Sequence, residues 1–414
     1  GYAFVASRSI GCMAREVEYE PVSVKSLLAE MKDTAELLID LSYSAVLLRS
    51  ETVAAEVIEL ESRMDVLQLR ARMGLLMAAR NPEDAEALAP VLGVVGAAEK
   101  ISDAAGDIAK VVLEDIGLPE AMRAALPESV ETLVRAGVAP DSPLAGRMLG
   151  DVNLETETGV RVIAVRRAGD WLTDPDAETA LEAGDVTLLR GPDEGIASVY
   201  EQLTGDEYEP PAPPAEPSAD LERAMDSVVL MKDISELAVD LAYGAVLFDD
   251  DGLAEEVLEL EAEVDALQSR FEAWTLRAAA EIDDPVSLRG LVHLAAATEV
   301  ISDAALEISE GVLRGLGTHP VIQEAVLESD EILARYEVTA GSRLDGTTLG
   351  EVAVKTETGM RVIAVRRGDE SRAPTGKEAG WVVSPGPDTE LHGGDVLIAK
   401  GTRAGAERMD ELTS

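Results

Sequence analysis

Between residues 26 and 49, Leu27, Leu28, Met31, Leu38, Leu41, Ala45 and Leu48 recur at three- and four-residue intervals. This is the spacing of one face of an amphipathic helix. The same period predicts a second helix over 52–79, ended by Asn81-Pro82, and a third over 83–116, kinked near Pro90 and closed by Gly117. A short fourth helix is expected over 119–135. Past residue 139 the pattern changes to short β-branched runs: 161–165 and 186–189 read as strands, Gly184-Asp185 as the turn before the second, and 149–154 as a short helix. A three-helix bundle is thus followed by a small α/β unit.

The whole pattern then starts again. Thr-Glu-Thr-Gly, one residue, and Arg-Val-Ile-Ala-Val-Arg-Arg stand at 156–167 and at 356–367; Met-Lys-Asp stands at 31–33 and 231–233, Ile-Ser-Asp at 101–103 and 301–303. A period this long marks a tandem duplication in which each copy can hold its own core. The second copy predicts helices over 224–248, 253–280 and 285–316 and an α/β unit over 337–399. Its one clear departure is an insertion at 368–380, between Arg367 and Trp381. The stretch 205–220 holds five prolines and reads as an extended linker. The resulting division is an extension over 1–21, helical domains over 22–135 and 221–335, and α/β domains over 136–204 and 336–414. Pseudo-two-fold packing is expected, bundle on bundle and α/β unit on α/β unit.

Charge narrows the possible partners. With 80 acidic against 35 basic residues the net charge is −45, which leaves no cationic surface for a phosphate backbone and excludes nucleic acid as a partner. Hydrophobic content of 46% and clear periodicity place that charge on a folded surface rather than in a disordered chain. A carboxylate-rich composition with eight lysines resembles that of proteins from salt-accumulating halophiles. Cys12 is the single cysteine, so no intrachain disulfide and no cysteine metal site can form. No run reaches the length of a membrane span, so a cytoplasmic protein is expected. Met13 would open a sensible reading frame, and residues 1–12 read as a start-site artefact.

Two families are resembled. Ser342-Arg-Leu-Asp-Gly-Thr-Thr-Leu-Gly-Glu, then Arg361 to Arg367, then 391–401 with its Gly-Asp turn, looks like the TrkA-C domain, the C-terminal regulatory (RCK) module of potassium-transport proteins; 142–191 is a weaker copy. The helical segments, with Asp40-Leu-Ser-Tyr-Ser-Ala-Val and Asp240-Leu-Ala-Tyr-Gly-Ala-Val, are similar to PhoU, a regulator family associated with phosphate uptake. The fold implied is α plus α/β, two three-helix PhoU-like bundles alternating with two small TrkA-C-like domains. The function implied is a non-enzymatic regulatory subunit for potassium or other cation transport, its partner a membrane transporter or channel. TrkA-C domains pair as dimers, so a homodimer is a further expectation. A metal-binding adaptor for phosphate uptake is the alternative, and a metallohydrolase a third.

The candidate chemistry is of two kinds. Glu36/Asp40, Glu61/Asp65 and Glu99/Asp103, repeated at Glu236/Asp240, Glu261/Asp265 and Glu299/Asp303, put two carboxylates on one helix face each, as a hard divalent cation or iron requires. PhoU proteins are similar in binding metal clusters through such pairs; a solvated acidic face is the competing reading. Arg161, Arg166 and Arg167, with Arg361, Arg366 and Arg367, concentrate positive charge on one strand per copy. Of these, Arg166, Arg167, Arg366 and Arg367 are the candidates for a phosphate-bearing ligand such as cyclic di-AMP, which some TrkA-C domains bind; ion pairing with nearby carboxylates competes. Catalysis finds little support, because His293, His319 and His392 share no spacing and no nucleotide fingerprint, P-loop or nucleophile elbow occurs.

Overall fold

A computed structural model describes residues 23–119, 132–152, 154, 158–172, 175–208, 218–314, 319–328, 332–368 and 381–414. The N-terminal extension, most of the proline-rich linker and most of the second-copy insertion lie outside the described residues.

The first bundle comprises α1 (Val24–Leu47), α2 (Glu51–Ala78) and α3 (Pro82–Leu113). Ser50 caps α2 by accepting from the Val53 amide, and Asn81 caps α3 by accepting from Asp84, with Pro82 at the first turn where its missing N–H costs nothing. The third helix runs unbroken through Pro90. Gly117 is not its C-cap; Glu114 is. Gly117 instead adopts φ +104°, and its carbonyl accepts from the Gly290 amide at 2.7 Å, a tie between the two copies.

The first α/β unit follows with β1 (Thr132–Gly137), α4 (Leu149–Val152), β2 (Arg161–Arg167), β3 (Asp170–Leu172), β4 (Val186–Gly191) and α5 (Asp193–Thr204). Residues 132–135, expected as the end of a helix, are strand, because Leu133 to Arg135 pair antiparallel with Leu188 to Arg190 and bury Leu133. Residues 120–131 of the expected fourth helix lie outside the described residues. The sheet is antiparallel throughout, in the order β1-β4-β2-β3.

The second copy repeats this with α6 (Ala219–Phe248), α7 (Asp251–Ala278), a 3-10 turn (Pro285–Leu288), α8 (Arg289–Leu313), α9 (Pro320–Glu328) and β5 (Ile332–Glu337). Then come β6 (Thr347–Thr348), α10 (Leu349–Val352), α11 (Val354–Thr358), β7 (Arg361–Arg366), β8 (Trp381–Val383), β9 (Glu390–Leu391), β10 (Val396–Gly401) and α12 (Arg403–Thr413). Strand order β5-β10-β7-β8 matches the first sheet. In both sheets the register slips at one isoleucine, Ile163 or Ile363, a bulge that re-aims the start of the strand. The fold is α plus α/β.

Bundle packs on bundle through α3 and α8, which run antiparallel: Pro90 faces Gly311, Lys100 pairs with Glu307, and Gly117 meets Gly290. One continuous hydrophobic core runs through both bundles and takes in one face of each sheet, including Leu133, Ala164, Trp171 and Leu188 in the first and Ile363, Ala364, Trp381 and Ile398 in the second. The opposite face of each sheet closes a small core of its own, around Val165 and Leu189 in one unit and Val365 and Leu397 in the other. Period-two burial of the strands therefore serves two cores, and each α/β unit is seated on helices rather than standing free.

Candidate functional site: a charged cavity shared by all four domains

Positive charge is scarce, so its placement is informative. In the first unit Arg135 Nε lies 2.7 Å and Arg166 Nη2 2.8 Å from Glu56 Oε1 of α2, and Arg166 also reaches Glu59 at 3.1 Å. In the second, Arg335 and Arg366 each stand 3.5 Å from Asp250, the N-cap of α7. Arg166 and Arg366 stack over Trp171 and Trp381. These four arginines fasten sheet to helix. Arg167 and Arg367 hold the Gly-Asp turns: each donates at 2.7 Å to a buried aspartate, Asp185 or Asp395, and to a backbone carbonyl, Ala180 or Glu390. Burial acts to raise the Asp185 carboxyl, but Arg167 and the Glu182 amide outweigh it and hold it below the usual range.

Arg161 and Arg361, at the starts of the same strands, go elsewhere. They line a cavity of about 470 Å³ whose walls come from α1, α6 and both α/β units. The first helix contributes Asp33, Glu36, Leu37, Ile39 and Asp40; the sixth contributes Glu236, Val239 and Asp240. From the first sheet come Arg161, the bulged Ile163 and Arg190; from the second unit, Lys355, Gly359, Arg361, Lys400 and Thr402. Arg161 and Arg361, and the helix pairs 36/40 and 236/240, are equivalent positions of the two copies, so the cavity follows the pseudo-two-fold relation. The expected packing of α/β unit on α/β unit is not seen as helix or strand of one unit packed extensively on the other; the two units border a common space over α1 and α6.

The floor carboxylates are matched by cations from both copies. Arg190 pairs with Asp40 at 2.6 Å; Lys400 pairs with Asp240 at 2.5 Å and reaches Glu36 at 3.5 Å; Arg361 reaches Asp240 at 3.2 Å. Lys32, almost fully buried, lies 2.8 Å from Glu36 and 5.5 Å from the Tyr243 ring of the other copy. Burial works to raise both Glu36 and Asp40, yet Lys32 and Lys400 hold Glu36 below its ordinary range and Arg190 does the same for Asp40. Glu236 differs. Burial and the nearby Asp40 charge push it up despite Lys232 at 2.8 Å. On the rim, Lys355 makes no ion pair among the described residues, and the Arg361 side chain is 58% exposed. A space with neutralised floor and cationic rim suits a small anion better than a second cation.

The remaining predicted carboxylates sit on another surface. Glu61 and Asp65 face Glu99 and Asp103 across α2 and α3, and Glu261 and Asp265 face Glu299 and Asp303 across α7 and α8. A metal was expected to draw such pairs together. Among the described residues, however, no three His, Cys, Asp or Glu side chains converge as a metal site requires. The carboxylates run as stripes along the helices, with Arg72 on Glu99 at 3.1 Å and Lys110 near Glu61 at 3.8 Å in the first copy.

None of Arg166, Arg167, Arg366 and Arg367 lines the cavity. Sequence reasoning did not find Lys32, Arg190, Lys355 or Lys400 in this role. No local sequence signal marks them: four of the eight lysines, Lys32, Lys232, Lys355 and Lys400, fall at this one site or against its floor, but only the fold brings them together.

Two domain families alternate along the chain. PhoU domains match residues 28–112 and 228–312, and TrkA-C domains match 133–204 and 333–414, so it carries PhoU and TrkA-C domains in tandem pairs. Over 88 residues it is 26% identical to potassium channel protein 1 of Methanocaldococcus jannaschii, a match spanning 21% of this chain and 23% of that protein. Among solved structures, it is similar to the RCK_C domain dimer of S. agalactiae BusR in complex with c-di-AMP (25% identity, 20% of this chain and 88% of that one, TM-score 0.17). It is also similar to PhoU from Pseudomonas aeruginosa (14% identity, 70% and 96% covered, TM-score 0.40). No helix among the described residues is long and apolar enough to cross a membrane.

Proposed function

We propose that this chain is a cytoplasmic, non-enzymatic regulatory subunit for transmembrane transport of potassium or a related cation, and that a small phosphate-bearing anion in the shared cavity sets its state. The observation that carries the reading is the cavity itself. Lys355 and Arg361 from one TrkA-C unit and Arg161 and Arg190 from the other face a single space, and the same space is floored by the first helix of each PhoU bundle. A ligand there touches all four domains at once, so its binding energy can bias how the α/β units sit on the bundles. Cyclic di-AMP is the probe of choice, since it places two phosphates on a symmetric frame and the c-di-AMP complex of the BusR RCK_C dimer is among the similar structures.

The partner is a membrane cation transporter or channel. The TrkA-C domains and the similarity to an archaeal potassium channel support this. Deleting the gene in its host and following rubidium and phosphate uptake tests the assignment: altered rubidium uptake with phosphate uptake unchanged is expected. Altered phosphate uptake alone would favour the phosphate-adaptor alternative.

A further inference from the structure

Among the described residues, the outer groove between the second and third helices of each bundle leaves large apolar side chains exposed. On α2, Asp65, Leu69, Arg72 and Leu76 lie three or four residues apart and so form one stripe; on α3, Leu92, Gly96, Glu99 and Asp103 form another. The Arg72–Glu99 ion pair sets the stripes side by side, and Lys110 near Glu61 continues the register. The groove is therefore apolar where α2 ends and α3 begins, and acidic towards its other end. Leu76 is 72% exposed, and Met77 and Leu92 are exposed beside it.

The second copy keeps the two ends of this design, with Ser269 and Glu272 standing where the first copy has Leu69 and Arg72. Leu276 is 75% exposed, with Val292 exposed opposite, and Asp265, Glu299 and Asp303 continue the stripes. Single exposed leucines are ordinary. Exposed leucines at equivalent positions of both copies, each with an apolar neighbour across the groove and carboxylates further along it, form a patterned surface. Because α3 and α8 run antiparallel, the two apolar ends lie at opposite ends of the double bundle.

We propose that each groove is a docking site for an amphipathic helix of a partner protein, one helix per copy, with leucine-like residues for the apolar end and lysine or arginine for the acidic end. The stripe from Leu92 to Asp103 and beyond is about 20 Å long, which fits a helix of about four turns. Glu61, Asp65 and Asp103 are raised by burial and by neighbouring carboxylates, as are Glu261, Glu299 and Asp303; Lys110 near Glu61 and Arg72 on Glu99 offset only part of this charge, and a cationic helix face complements the rest. A second copy of this chain is the wrong occupant, because it would bring the same acidic stripe against this one. The proposal is independent of the cavity.

The test uses the full chain and a labelled helical peptide of about 18 residues made of Leu and Lys, one face apolar and one cationic. Fluorescence anisotropy in about 1 M KCl removes long-range attraction to the −45 surface. Two peptides per chain are expected, with binding weakened at least about tenfold when Leu76→Ser and Leu276→Ser are combined. Both leucines are exposed, so the fold survives these changes. No binding, binding indifferent to the two substitutions, or equal binding of a Leu/Glu peptide of the same pattern overturns the proposal. So does self-association of the chain that the substitutions abolish.

Discussion

Lys400 Nζ lies 2.5 Å from Asp240 Oδ1 and 3.5 Å from Glu36 Oε1. One lysine of the second α/β unit thus joins the first helices of both bundles, and its own exposure is only 11%. Removing it strips one cation from each of two poorly solvated carboxylates, leaving Lys32 on Glu36 and Arg361 on Asp240. Lys400→Met is expected to destabilise the protein by about 2 to 4 kcal/mol, and Lys400→Met with Asp240→Asn by less than the sum of the two, a coupling of about 1 to 3 kcal/mol. Chemical denaturation of the four proteins at one salt concentration measures it.

Closure of bundle on bundle depends on a glycine. A Cβ at position 290 would overlap the Gly117 carbonyl and press on Leu118 and Val111. Gly290→Ala is therefore expected to cost about 1 to 3 kcal/mol, despite alanine's better helix propensity. Gly93→Ala, where a Cβ meets nothing within 4 Å, should be neutral or slightly stabilising. Melting temperatures of the pair separate packing from propensity.

The helices, the duplication and the alternation of domains were legible because three- and four-residue spacing and a repeat of 200 positions are local or periodic signals. Residues 132–135 read as the end of a helix because Leu133 and Val134 suit either state, and antiparallel pairing of Thr132–Gly137 with Val186–Gly191, some fifty residues away, decides for strand. The cavity was invisible for a related reason. Lys32, Arg190 and Lys400 are far apart in sequence and meet only when two sheets settle over α1 and α6. The acidic pairs were legible as pairs, but spacing alone could not show that Glu36/Asp40 face cations while Glu61/Asp65 face other carboxylates.

Stability should peak in mildly acid solution. Glu61, Glu236, Glu261 and Glu299 are raised above 4.5 by burial and neighbouring charge, so the folded state binds their protons more tightly than the unfolded chain. Stability therefore grows as pH falls through the window just above 4.5. Glu36, Asp40 and Asp185 are lowered, so what they contribute is present above their unfolded values and is lost as pH falls below about 4. Thermal melts at fixed salt from neutral to acid pH should rise and then fall; a profile falling steadily from pH 7 would contradict the assignment.

Salt should govern the fold. At about 1 M ionic strength charges are screened over about 3 Å, at 0.1 M over about 10 Å, and the −45 surface repels itself across the longer distance. Dialysis from molar to about 0.1 M potassium chloride is expected to lower the melting temperature and reduce helicity, as read by circular dichroism. Unchanged melting would count against a surface tuned to high salt.

The proposed function requires that an anion enter the cavity shared by both TrkA-C units. Calorimetric titration of the full chain with cyclic di-AMP in about 2 M potassium chloride, where the general repulsion of anions is screened, tests it most directly. One ligand per chain at micromolar affinity is predicted, weakened at least about tenfold by Lys355→Gln combined with Arg361→Gln. Absence of binding, or binding that these two substitutions leave unchanged, would contradict it.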